Sequence, residues 1–302
     1  MPQRDIVEKA DIAVSQLITH GGYLNTEQSN RFIRMVQEQV SLLGVVRTIR
    51  MNAPKREINK IGFGNRILRP SPGSGVALAA DDRAAPTTEK LTLETSEVIA
   101  EVQIPYDVLE DNIERGNLED TIMEMIVERT SVDLEELLIL GDTASSDSYL
   151  ALFDGALKKI SSNIVSHSAI IDRSLFKNGM LAMPNKYLRN RAAMRHFLSP
   201  GQEIAYIDTL AERATTLGDT SGESRIKSSP FGVPLEAVAL MPDTYGFFTY
   251  PQNLIWGIQR QIMIETDRDI RARALVVVLT LRIAFEIEEE EACVKYTNIT
   301  AP

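Results

Sequence analysis

The chain has 302 residues, 44% hydrophobic and 25% charged, the usage of an ordinary globular protein. Its 42 acidic against 32 basic residues give a formal net charge of −10, which argues against a broad basic face for gripping a phosphate backbone and favours a protein that stays soluble when crowded. The single cysteine, Cys293, excludes an intrachain disulfide framework and a CxxC metal site; no apolar run has the length of a membrane span, and the N-terminus MPQRDIVEKAD lacks a signal peptide's apolar segment.

Asp5 to His20 sets Ile6, Ala10, Ala13, Val14 and Leu17 on one helical face, stopped by Gly21 and Gly22. Glu27 to Leu43 predicts a second helix with Thr26 as N-cap and Phe32, Ile33, Val36, Val40 and Leu43 inward. From Val45 the period changes to two, broken at Pro54, and extended chain continues through Ile61. A second alternating stretch runs from Leu91 to Ile104 and stops at Pro105.

Between these strands lies LRPSPGSGVALAADDRAAPTTEK, Leu68 to Lys90, rich in Pro, Gly and small residues, with nothing to anchor a core. Loops this long are usually functional or disordered. Two strands flanking such a tip predict a long hairpin arm with an apolar root and a mostly polar far half. A hairpin with so little apolar surface does not hold itself in water and must lie on something else.

The longest predicted helix spans 118–140, with Asn117 as N-cap and Gly141 as its C′ stop. At 1.5 Å per residue it is a rod of roughly 35 Å. Leu118, Ile122, Met125, Ile126 and Leu137 form one apolar stripe, with Met123, Val127, Leu134 and Leu138 beside it; Glu119, Glu124, Glu128, Ser131 and Glu135 are expected outward. GDTASSDS reads as a polar loop. The stretch from Ser161 to Pro251 alternates short elements: helices over Pro184–Phe197 and Gln202–Leu217, the second capped by Ser199, and a strand over Val233–Met241. The tail reads as strands at Asn253–Thr266, Ala274–Glu288 and Ala292–Asn298, with DRDIR as a turn.

A catalytic constellation does not emerge. His20, His167 and His196 lack metal-ligand spacing and are expected at the surface or just beneath it. There is no Walker A, GxGxxG or GxSxG pattern. Asp142 and Asp147 lack the glycine and terminal glutamate of a calcium loop and read as a solvated turn. Glu288 to Glu291 is the sharpest charge run; it reads as a solvated strand end, with an arginine cluster on a neighbour as the alternative. No catalytic residue, cofactor or metal is expected. The prominent features are mechanical: two arms and a rod.

The order of these elements resembles the major capsid proteins of tailed bacteriophages, the Hong Kong 97 type. The resemblance covers nearly the whole chain. Its most specific pieces are GNLEDTIMEMIVERTSVDLEELLILGD followed by YLALFDGALKKI, like the family's spine helix and the segment after it. RARALVVVLTLRIAFEIEEEEACVKYTNI is like its closing strand, turn and strand, and LAMPNKYLRNRAAMRHFLSP is similar to its central domain. The resemblance implies an α+β fold. Its parts would be an N-terminal arm over 1–44, an extension loop over 45–104, a peripheral domain over 105–160 with the spine helix, an axial domain over 161–251, and closing strands over 252–302. It implies a shell protein that encloses double-stranded DNA without sequence-specific binding, with its own copies as partners in hexamers and pentamers. A separately encoded scaffolding protein, a portal and a decoration protein are further implied partners. The tip of the arm would lie across the adjacent subunit. Lys55, Lys60 and Lys90 do not align with the family's crosslinking lysine and read as solvated or paired.

The expected intersubunit contacts set Lys55, Arg56, Lys60, Arg66, Arg69 and Arg83, with Asp81, Asp82 and Glu89 also on the arm, against Glu110, Asp111 and Glu114 of a neighbour. Two other readings stay open. An encapsulin-type nanocompartment would use the Ile6, Ala10, Val14 and Leu17 stripe as a cargo groove. A cytosolic α+β enzyme would use the Pro-rich stretch as a lid.

Overall fold

Strict alternation makes the spine of the architecture. In ALVVVLTLRIAFEI, β11 (Ala274–Ile287), the side chains of Val277, Leu279, Leu281, Ile283, Phe285 and Ile287 all fall on one face and are buried. A period of two is what a strand needs to cover one side of a sheet. The computed structural model describes residues 41–63, 66–71, 73, 77–106, 118–211, 229–259 and 263–302. The helices expected before residue 41, and Asn117 as an N-cap, lie outside these residues.

β11 is the centre of a five-stranded sheet. β4 (Ser96–Pro105) pairs antiparallel with it on one edge; β10 (Met263–Asp269) and β9 (Leu254–Gln259) pair antiparallel with it along the other. β1 (Arg47–Met51) adds to β9 in parallel. The rod helix α2 (Leu118–Leu140) lies on the face that β11 presents, burying Ile126, Val127, Leu134, Leu137 and Leu138 against β11, Trp256 and Ile258. The short helix α1 (Ser41–Val45) adds Leu42 and Leu43 to the same core.

A second five-stranded sheet runs in the order β5 (Ile164–Ser166), β12 (Val294–Thr297), β8 (Gly246–Thr249), β6 (Arg195–Leu198), β7 (Leu235–Ala237). Its side chains alternate. Leu198, Phe248, Val294 and Tyr296 face helices α4 (Arg173–Ala182) and α5 (Pro200–Ala211). Phe197, Phe247 and Cys293 face the core shared with the rod helix. The helix α3 (Ala156–Lys159) bridges the two halves.

Several expectations need correction. Pro184–Phe197 is not a helix: a 3-10 turn, Leu188–Ala193, is broken by Asn190 at φ −122 and leads into β6. Only Leu235–Ala237 of the expected strand Val233–Met241 pairs. Asp267 to Asp269 end β10 as strand, and the turn follows at Ile270. His196 is wholly buried, stacked on Phe248 and bonded through Nδ1 to the Tyr296 hydroxyl at 3.0 Å; burial pushes its pKa down to about 3.

Ser131 and Glu135 are buried, not outward. The rod has a second buried flank because α1 covers it, and the Glu135 carboxylate accepts the Leu42 amide at 2.8 Å. Desolvation raises the pKa of that carboxyl. Gly141 does end the rod, but without a left-handed φ. Its amide donates to Leu137, its carbonyl accepts from Gly155, and a Cβ at Gly141 would strike the Phe153 carbonyl. The glycine is there for close backbone approach.

The long strand expected from Leu91 to Ile104 is two strands. Thr95 breaks it, its amide and hydroxyl both donating to the Pro54 carbonyl at 2.9 and 3.0 Å. The free-standing hairpin is therefore shorter than 45–104. It comprises β2 (Lys55–Gly62) and β3 (Thr87–Glu94), while β1 and β4 belong to the body sheet.

Candidate intersubunit surface

The register of the arm runs from Lys55↔Glu94 to Gly62↔Thr87, so the pairs Ile58↔Leu91 and Lys60↔Glu89 share one face. At the root, Met51 and Leu93 press on Ile255 and Ala284, on the side of the body sheet away from the rod, with Ile58 and Leu91 packed at the edge. Gly257 makes this approach possible. A Cβ there would sit 2.8 Å from Met51 Sδ and 3.0 Å from Leu93 Cδ2.

From Ile61 on, every described residue up to Lys90 is exposed. That includes Ile61 at 72% and Leu68 at 80%, together with Phe63, Ile67 and Leu78. The tip is pinned to itself only lightly. Arg69 stands 3.6 Å from Asp82, and Arg83 Nε donates to the Leu78 carbonyl at 3.2 Å. The far half is thus less polar than expected: it carries apolar side chains that join no core among the described residues.

The arm is tied to the body by the acidic run. Asn253 is buried and organises this run. Its Oδ1 accepts the Glu289 amide at 2.7 Å, its Nδ2 donates to the Glu289 carbonyl at 2.8 Å, and its own carbonyl accepts the Glu288 amide at 2.9 Å. The carboxylates then fan out, each to a different element. Glu288 takes Arg47 of β1 at 2.8 Å, Glu289 takes Lys60 of the arm at 3.0 Å, and Glu286 takes Lys159 of α3 at 2.8 Å.

Glu290 accepts the Ser161 hydroxyl at 2.6 Å and the amides of Ser161 and Ser162, and these bonds hold its carboxyl below the usual range. Glu291 takes Lys186 at 2.5 Å, which lowers the carboxyl and raises the lysine. The run is therefore neither a bare strand end nor in need of a neighbour's arginines; its cations come from within the chain. An open cavity of about 500 Å³ lies between this junction and the arm, lined among others by Lys60, Glu89, Lys186 and Tyr187.

The other arm residues are placed as follows. Lys55 and Arg66 are exposed, as is Asp81. Arg56 donates to the Arg50 carbonyl at 2.7 Å, and Lys90 pairs with Glu57 at 3.2 Å. Glu89 sits opposite Lys60. Glu110, Asp111 and Glu114 lie outside the described residues. Sequence reasoning missed the junction because its ion-pair partners are more than 100 residues apart. The available signal was Lys159 and Lys186, which lie in a stretch of sequence with almost no acid. Among the described residues no cluster of three or more His, Cys, Asp or Glu is placed to hold a metal.

No family model matches the chain. A curated relative, "Putative prophage capsid protein YqbE" of Bacillus subtilis (strain 168), is 44% identical over 312 residues, covering 99% of both chains. Among solved structures, a chain of the satellite phage P4 procapsid superposes with a TM-score of 0.69 at 14% identity, over 100% of this chain and 99% of that one. A capsid chain of a native GTA particle gives 0.64 at 15%, over 87% and 91%. The SrpI encapsulin of Synechococcus elongatus PCC 7942 gives 0.59 at 11%, over 85% and 86%. The chain belongs to the family of prophage capsid proteins and has the Hong Kong 97-type capsid fold.

Proposed function

We propose that copies of this chain close an icosahedral shell around a double-stranded DNA genome, each laying its hairpin arm over the adjacent copy. The observation that carries this reading is the arm itself. It leaves the body through a packed root, is fixed at the junction by Lys60, and then exposes Ile61, Phe63, Ile67 and Leu68, none of which joins a core cluster among the described residues. A monomer gains nothing from such a projection, whereas many modest contacts repeated around a shell become strong together. Scaffold, portal and decoration proteins are partners by family likeness, and assembly in the host cytoplasm belongs to the same proposal. The fold is shared with an encapsulin, but the 44% identical relative is a prophage protein and favours the viral reading.

The basic arm residues Arg66, Arg69 and Arg83 are proposed to meet Glu110, Asp111 and Glu114 of the neighbour. Each exposed pair is worth only about 0–1 kcal/mol, so the test reverses all three arginines to glutamate. Assembly followed by light scattering at low salt should slow greatly while the melting of the subunit stays put. Lysines at Glu110, Asp111 and Glu114 should restore it. Assembly indifferent to both changes would assign arm docking to its apolar side chains alone.

A further inference from the structure

Charge in this chain is segregated. Between Asp154 and Glu203 the only acid is Asp172, against eight lysines and arginines, in a protein whose net charge is −10. Asp172 is itself occupied, accepting the amides of Ser174 and Leu175 as the N-cap of α4. Four of the eight cations are also occupied. Lys159 and Lys186 hold Glu286 and Glu291, Lys158 holds Asp142, and Arg195 donates to the carbonyls of Ala192 and Met194.

The other four are not neutralised. Arg173 lies over the Phe231 ring at 4.8 Å, and Lys177, Arg189 and Arg191 are exposed with no hydrogen bond or ion pair among the described residues. Arg173 and Lys177 stand one turn apart on the outer face of α4, whose buried side, Leu175, Phe176 and Met180, is spent on the second sheet. Arg189 and Arg191 occupy the exposed 3-10 turn that follows. Exposed amides of Asn178, Asn185 and Asn190 are interleaved with them. The surface offers cations and amide groups, and its one carboxylate, Asp172, is occupied as the N-cap.

We propose that this outer face of α4 and the turn after it, Arg173, Lys177, Arg189 and Arg191, binds the phosphate backbone of double-stranded DNA without regard to sequence. The inference rests on the shell reading, which supplies DNA as the polyanion such a protein meets. The guanidinium, ammonium and amide N–H donors of this surface match phosphate oxygens. Four cations give one copy a weak, salt-sensitive grip, and the acidic remainder of the chain keeps that grip local. Repetition over a shell would make it count.

The test measures fluorescence anisotropy of a labelled duplex with the full chain, from low to physiological salt, beside the variant Lys177→Gln/Arg189→Gln/Arg191→Gln. These three side chains are exposed and make no hydrogen bond or ion pair among the described residues, so melting should not move. Wild type should bind with a log K against log salt slope of about −3 to −4. The variant should lose at least about tenfold in affinity and about three in slope, while light scattering still shows assembly. A chain that assembles but does not bind the duplex at low salt overturns this proposal and leaves the shell reading standing. Equal binding by the variant overturns it, as does an equal loss on neutralising Arg268, Arg271 and Arg273 at the other end of the chain. A variant that keeps the duplex but no longer assembles assigns the face to a neighbouring copy, and also overturns it.

Discussion

Lys60→Glu isolates what the junction contributes to the arm. The Lys60–Glu289 pair spans 3.0 Å, with side chains 19% and 43% exposed. A half-exposed pair of this kind is worth about 1 kcal/mol or less. Reversal does more, because it sets a second carboxylate beside Glu289, with Glu89 facing it across the hairpin. Two like charges about 5 Å apart repel by roughly 1–3 kcal/mol for effective dielectric constants between water and a protein surface. The sum, about 2–4 kcal/mol, falls on the hinge of a hairpin that has little stability of its own. The cores around the rod helix and the second sheet do not contain Lys60. Global melting should therefore shift little, while the arm opens about 30- to 1,000-fold more often. Hydrogen exchange reads this directly: amides of β2 and β3 should exchange faster by that factor, those of β11 should not, and high salt should shrink the difference. Unchanged exchange in β2 and β3 would mean that the Ile58, Leu91 and Met51 root holds the arm alone.

Three further outcomes follow from buried positions. Gly257→Val puts side-chain carbon where Met51 Sδ and Leu93 Cδ2 already sit; denaturant unfolding should show a loss of about 1–3 kcal/mol, and an unchanged midpoint would mean that the root is loose. Leu134→Asp buries a carboxylate in the rod's core face, at a site 3% exposed, and the cost of several kcal/mol is comparable to total stability; a soluble, assembling variant would refute the packing. Glu135→Gln keeps an acceptor for the Leu42 amide but has no charge to desolvate. Because burial raises the Glu135 pKa above 4.5, the folded state keeps its proton where the unfolded state has lost it. The penalty is absent below pH 4.5 and sets in as pH rises through the folded value. The glutamine variant should therefore be the more stable at pH 7 and equal to wild type near pH 4 by urea unfolding; equal stability at both would show that Glu135 is solvated.

Local pattern carried much of the fold. The period of two in β11, the rod over 118–140 and the core-less arm tip are all properties of neighbouring residues, and they are legible because burial imposes its period on the chain. What was hidden depends on distant partners. Glu135 looks like a surface residue until α1 covers it, and His196 lies inside only because Phe176, Phe248 and Tyr296 close around it. Pro184 to Phe197 has helix-forming composition, but pairing with β7 and β8 claims its end as a strand. The acidic run gave little hint of its partners, since Arg47, Lys60 and Lys186 reach Glu288, Glu289 and Glu291 from three separate parts of the chain.

The account stands or falls on whether the arm closes a shell. Particle mass by light scattering should be measured for the full chain and for a chain lacking Arg69 to Thr87, both with their subunit folding checked by circular dichroism. The 33.6 kDa chain should form particles of on the order of 60 copies or more, the least that icosahedral symmetry allows, and the deletion should leave folded subunits or small oligomers. A full chain that stays near its monomer mass, or a deletion that still closes shells, would contradict it.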